Sequence, residues 1–187
     1  MSRQLSNVAG IDDAPSERGR ARVPIVAVVA ARTRMDGMLV GHLQRDGRNA
    51  TANIAALLQA SPFAVHLQAV LLQGITFGGF NVVDLPELHE RLGLPVLVVA
   101  RRPPDLDRIR RALLERVPGG RRKWALIERA GPSERVAGLS VQRAGLTLAE
   151  ARCLLEATTL HGKLPEPLRL AHLIAGALVT GTSRGGA

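Results

Sequence analysis

The sequence predicts a single α/β domain built on a mixed sheet, three antiparallel strands followed by parallel ones, flanked by helices. Three observations carry this. The first 45 residues hold three strand-length apolar runs joined by turns too short for a helical crossover, and strands joined that way are antiparallel. From residue 49 onward, helical and strand-length patterns alternate, as in units whose strands run parallel. The length of 187 residues, 46% of them hydrophobic, suits one domain of ~100–200 residues with its own core.

Taken in order, Asn7 to Ile11 reads as a short strand closing at Asp12-Asp13-Ala14-Pro15, where the acids and proline favour a turn. Val23 to Ala31 is the second strand and Met38 to Arg45 the third. Arg34-Met35-Asp36-Gly37 between them carries an Asp-Gly hairpin signal, which places Asp36 in the turn. Asn49 to Gln59 predicts a helix ending before Ser61-Pro62, and Ala69 to Leu72 a short strand. After a Gly-rich loop come a helix at Pro86 to Leu92 and a buried strand at Pro95 to Ala100. Leu106, Ile109, Leu113 and Val117 then recur at helical spacing, leaving Arg108, Arg111 and Arg116 outside. Residues 118–123 read as a basic turn, and Trp124 to Ala130 with Leu139 to Arg143 as a further strand pair. Thr147-Leu148-Ala149-Glu150 is a capping box for a helix stopping near Gly162, and a last helix begins around Pro165-Glu166-Pro167 and runs to about Leu178. Three antiparallel strands followed by αβαβα is the order of a ribonuclease-H-like sheet. Residues 1–6, 16–22 and 181–187 read as flexible, with no domain linker between them.

The core must be aliphatic, because the chain has one Trp, three Phe and no Tyr. A single cysteine, Cys153, points to a reducing cytoplasm. No apolar run approaches the ~20 residues of a membrane span, and Met1-Ser2-Arg3-Gln4 leads into no apolar stretch of the kind a secretory signal needs. A cytoplasmic protein without a membrane partner follows. The formal charge is +9, and all but two of the 25 basic residues are arginine. Arginine pairs bidentately with phosphate, so nucleic acid is a natural partner. Charge of this kind also arises from solvated helix faces, and it says nothing about oligomeric state.

Four acidic segments stand beside turns. Asp12-Asp13 closes the first strand, where neighbouring side chains point to opposite faces, so only one of the two faces a given site. Asp46-Gly47 ends the third strand and suits a helix cap, as does Asp84 before Leu85-Pro86. Gln73 to Asp84 packs three glycines (Gly74, Gly78, Gly79) and two phenylalanines into twelve residues, with Asn81 exposed in this reading. Glycines there let the backbone approach a ligand, yet the stretch matches neither a dinucleotide fingerprint nor a phosphate-binding Walker loop. On the last helix, Glu166, Arg169 and His172 fall on one stripe, able to meet a metal, a phosphate or each other. The remaining histidines show no ligand spacing, and no zinc pattern or Gly-x-Ser-x-Gly elbow is present.

Together these segments resemble the endonuclease dU family, relatives of endonuclease V. The resemblance is carried by Gly10-Ile11-Asp12-Asp13, by Asp46-Gly47 with Ala50-Thr51, by Gly74 through Asp84, by Gly93-Leu94-Pro95-Val96, and by Pro165 through Ile174. It implies a ribonuclease-H-like core and a Mg²⁺- or Mn²⁺-dependent endonuclease acting on deaminated, uracil-containing DNA in DNA repair. Catalytic roles fall on Asp12 or Asp13 and on Glu166 or His172. The metal would sit on Asp12 or Asp13, with Asp46 or Asp84 as further carboxylates. Substrate contacts map to Gly74, Gly78, Gly79 and Asn81, with Arg169 on a phosphate. The chain departs from the pattern at Gln73-Gly74, where nuclease-like relatives carry Asp-Gly, and at Ala14 and Ser16. A neutral amide ligates Mg²⁺ poorly and cannot act as a base. Gln73 therefore motivates a rival reading, a non-catalytic nucleic-acid-binding or regulatory protein. The Gly-rich loop motivates a third, an enzyme of small phosphorylated substrates.

Overall fold

The computed structural model describes residues 4–15 and 21–183. A seven-stranded sheet runs in the order β3-β2-β1-β4-β7-β9-β8. The first three strands, β1 (Asn7–Asp13), β2 (Arg22–Ala31) and β3 (Arg34–Gln44), form an antiparallel meander. β4 (Ala69–Gln73) lies parallel to β1, and β7 (Val96–Ala100) parallel to β4. Parallel pairing stops there, because β9 (Leu139–Ala144) runs antiparallel to β7 and carries β8 (Glu134–Val136) on its outer edge. The Gly-rich segment forms a separate ribbon of β5 (Thr76–Phe77) and β6 (Asn81–Val82).

Strand alternation sends side chains into two cores. Ala9 and Ile11 of β1 and Val70 and Leu72 of β4 pack under α1 (Ala50–Gln59) and α2 (Leu85–Leu92), with Phe77 fully buried among them. Val8, Ala69, Leu71, Leu97 and Val99 face the other way, towards α5 (Leu148–Thr158) and Leu168 of α6 (Glu166–Thr180). Ala171 and Ala175 of α6 continue this layer over Val26 and Val28. α3 (Leu106–Arg116) and α4 (Gly120–Arg129) bury Leu113 and Ile127 against Val82 of the small ribbon. Among the described residues, no helix is long and apolar enough to cross a membrane.

Gly10 sets the depth of the α6 contact. A Cβ there would lie 2.6 Å from the Pro167 carbonyl carbon and 2.8 Å from the Leu168 nitrogen. Only glycine lets this helix backbone settle directly on β1.

Several local readings are corrected. The first hairpin turns at Arg32-Thr33, between the paired Ala31 and Arg34, with Arg32 at φ 56°. Asp36 and Gly37 are thus strand residues. Asp36 accepts from Arg34 Nε, and Gly37 leaves room for the Phe63 ring. Trp124 to Arg129 is helical, because the burial repeats at Gly120, Lys123 and Ile127, a helical interval. The strand that pairs with β9 is β8, joined to it through Ala137 (φ 51°) and Gly138 (φ 78°), the two positive φ values of a tight hairpin turn. The Thr147–Glu150 capping box forms, and its helix ends at Thr158, short of Gly162. The readings of residues 1–3, 16–20 and 184–187 lie outside the described residues. Ser6 and Asn7 are tied down, both donating backbone N–H to the Gln68 side-chain oxygen.

Candidate active site

β1 ends at the carboxyl edge of the parallel strands, where open α/β sheets collect ligands. Because neighbouring side chains alternate, Asp12 and Asp13 part company here. Asp12 points to the α6 face and is 5% exposed. Its Oδ2 is hydrogen-bonded to Nδ1 of His172 at 2.8 Å, and its Oδ1 accepts from the Asp13 backbone N–H at 2.9 Å. Burial, and then the neighbouring Asp13 charge, push the Asp12 carboxyl up to about 7, although His172 pulls the other way. Asp13 points to the opposite face, where its Oδ2 accepts from the Gly78 N–H at 2.8 Å. Burial raises its pKa as well, offset in part by that hydrogen bond.

Gln73 closes β4. Ile11 pairs with Leu72 in the parallel register, so the next position sets Gln73 beside Asp12 on the same face. Its Oε1 is buried and has no hydrogen-bond partner among the described residues. An orphaned buried acceptor costs about 1–3 kcal/mol, and it is the one unsatisfied buried side-chain atom among the described residues. Directly after it, Gly74 adopts φ 86° with open space where a Cβ would project, leaving its backbone approachable.

The other sequence candidates are placed as follows. Glu166 and Arg169 engage each other through two hydrogen bonds, Nε to Oε2 at 2.8 Å and an Nη to Oε1 at 2.5 Å. This pairing holds Glu166 below its usual range and raises Arg169. The stripe on α6 thus splits, with His172 on Asp12 and Glu166 on its own arginine. Asp46 accepts from the Phe80 N–H at 2.8 Å and sits where a Cβ on Gly79 would strike it. Asp84 caps α2 through the Glu87 N–H and pairs with Arg129 at 2.8 Å. Asn81, expected exposed, is fully buried. Its Oδ1 accepts from the Ala50 N–H, and its Nδ2 donates to the Gln44 carbonyl and to Asn49 Oδ1. It braces the start of α1, leaving no free polar atom for a substrate. Gly78 is packed against Val23. Among the described residues no three His, Cys, Asp or Glu side chains converge as a metal-holding group.

The composition of the chain did not disclose two further features. Lys123, although charged, is 2% exposed and donates to the Asp46 carbonyl at 2.5 Å; burial lowers its pKa. A cavity of about 380 Å³ opens beside His172, lined also by Pro15, Leu173 and Gly176.

The family model for endonuclease dU matches residues 4–179. The chain belongs to the endonuclease dU family. Relatives of this endonuclease dU chain include a UPF0215 protein of Deinococcus radiodurans, 58% identical over 97% of this chain and 93% of that one. Another, from Methanothermobacter thermautotrophicus, is 42% identical over 96% of this chain and 91% of its own. A crystal structure of a protein of unknown function from Archaeoglobus fulgidus superposes with TM-score 0.88 at 32% identity, covering 94% of this chain and 99% of that one. Endonuclease V of Bacillus subtilis shares the fold, with TM-score 0.61 at 13% identity over 95% of this chain and 82% of that one. The mixed sheet of this endonuclease dU member is thus of the endonuclease V, ribonuclease-H-like kind.

Proposed function

We propose that this chain is a divalent-cation-dependent endonuclease acting on deaminated, uracil-containing DNA, with a role in DNA repair. The observation that carries this reading is the pairing, at the carboxyl end of the central strands, of the Asp12–His172 couple with the unsatisfied Gln73 oxygen. The fold is that of endonuclease V, and the Ciona intestinalis endonuclease V has been crystallised with DNA containing an inosine.

The donor set, one carboxylate and one weakly ligating amide oxygen, would leave a hard cation most of its positions for water and substrate phosphate. Mg²⁺ characteristically takes one or two carboxylates and keeps water and substrate phosphate oxygens in its other positions. Asp12 offers a carboxylate and Gln73 a neutral carbonyl-type oxygen with no hydrogen-bond partner among the described residues. Asp12 and Gln73 would hold Mg²⁺ or Mn²⁺, and a cation bound there supplies Lewis-acid stabilisation of the charge that develops on the scissile phosphate. The rest falls to side chains and backbone. His172 fixes the Asp12 carboxyl through Nδ1, and burial keeps that carboxyl well above the usual carboxylate range. Asp13 holds the Gly-rich segment in place through Gly78, and Gly74 leaves an open backbone against which a nucleotide can lie.

The test is incision of uracil-, hypoxanthine- and unmodified duplexes with Mg²⁺ or Mn²⁺. Wild type should nick uracil DNA, and Asp12→Asn should not, while still binding it. The neutral amide at position 73 favours a second reading, a DNA-binding protein without catalysis. Wild type that binds but never nicks any duplex would establish that reading and end the first.

A further inference from the structure

A second site lies on the same face as Asp12, two strands along. Val99 of β7 pairs with Gln73, which itself stands beside Asp12. At ~4.8 Å per strand, the end of β7 is therefore about 10 Å from Asp12 across the sheet. The chain leaves β7 as Arg101-Arg102, at the mouth of a cavity of about 910 Å³. Arg135 of β8 and Lys163, in the connection from α5 to α6, also line it. All four cations are exposed. None forms an ion pair with a described residue, whereas Arg91, Arg129, Arg143 and Arg169 each hold an acid. Among the described residues, no carboxylate lines the cavity.

The walls include core residues. Leu139 and Leu164 are buried in the core beneath the cleft. The tight turn at Gly138 passes under Lys163, and a Cβ there would meet the Lys163 stem at 3.5 Å. Among the described residues no aromatic side chain lines the cleft, so they offer no platform for stacking a base and no anchor of the kind that dominates protein interfaces. What it offers is positive charge and guanidinium forks, the chemistry that recognises phosphate.

We infer that this cleft binds the phosphodiester backbone of the nucleic-acid strand whose neighbouring segment lies at Asp12. The axial rise per nucleotide is ~3.4 Å and the spacing along the strand is longer, so a separation of about 10 Å suits a neighbouring phosphate of the same strand. The cleft would thus set the register of the strand, while the Asp12 centre acts on one phosphate. The inference rests on nucleic acid being the partner, as proposed above, but not on catalysis.

The test measures binding of a uracil-containing duplex in EDTA, so that no cleavage intervenes. It compares wild type with the quadruple variant Arg101→Ala, Arg102→Ala, Arg135→Ala, Lys163→Ala, and with a control, Arg108→Ala, Arg111→Ala, on the solvated face of α3. Thermal melts first establish that both variants are folded. The quadruple variant should lose at least tenfold in affinity at 0.1 M salt. Its slope of log K against log salt should flatten by about 0.9 for each phosphate contact removed, with the control within twofold of wild type. Unchanged affinity and slope in the quadruple variant would overturn the inference. So would a variant that keeps its DNA affinity but loses binding of inorganic pyrophosphate, since the cleft would then serve a small phosphorylated ligand. A wild type that binds through the cleft yet never nicks DNA would remove the nuclease reading and leave this one standing.

Discussion

His172 Nδ1 lies 2.8 Å from Asp12 Oδ2 across 160 residues of chain, joining the last helix to the end of the first strand. This contact exists because Gly10 lets α6 settle directly on β1. It also defines the titration of the site. Burial keeps the Asp12 proton until about pH 7 in the folded protein, against 3.8 for the free side chain. Between those values the folded state binds the extra proton, so the contribution of Asp12 to stability is greatest on the acid side and falls as pH rises to about 7. In metal-free buffer, Asp12→Asn should flatten that part of the stability profile and exceed wild type at pH 8 by about 1 kcal/mol or more. Chemical denaturation across pH checks this; identical profiles would show that Asp12 ionises normally.

Gly10→Ala should be costly despite its small size. The added methyl meets helix backbone, which cannot swing away as a side-chain tip would. A loss of about 1–3 kcal/mol is expected on denaturant unfolding. Because α6 must move, incision should drop along with stability, even in variant protein shown to be folded.

Gln73→Leu separates stability from function. Removing an unsatisfied buried oxygen should raise stability by about 1–3 kcal/mol, while weakening Mn²⁺ binding and incision. A destabilised variant, or one with unchanged incision, would mean that the amide has another role.

Asn81→Ala strips three hydrogen bonds from a fully buried position. It should cost about 2–3 kcal/mol at ~1 kcal/mol per bond, measured by denaturant unfolding. DNA affinity of the folded fraction should stay within twofold, since the side chain braces α1 and faces no ligand.

These contrasts also mark what the sequence could disclose. The antiparallel start, the crossover half and the capping box rest on short-range patterns, and the structure has them. The alternation argument correctly divides Asp12 from Asp13 between two faces. Trp124 to Arg129 misled because a short apolar run fits either period until its neighbours Gly120 and Lys123 reveal a buried stripe. Asn81 was unreadable for a different reason. Its partners Ala50, Gln44 and Asn49 come from elsewhere in the chain, so nothing local distinguishes it from an exposed loop asparagine. Arg101, Arg102, Arg135 and Lys163 likewise gather only through the sheet order.

The central claim is that Asp12 and Gln73 together hold a divalent cation, and a crystal soaked in Mn²⁺ tests it most directly. The account predicts an anomalous peak within about 2.0–2.3 Å of an Asp12 carboxylate oxygen and of Gln73 Oε1, lost in Asp12→Asn crystals. A Mn²⁺ peak on Asp46 or Asp84 instead, or none at saturating Mn²⁺ with DNA bound, would contradict it.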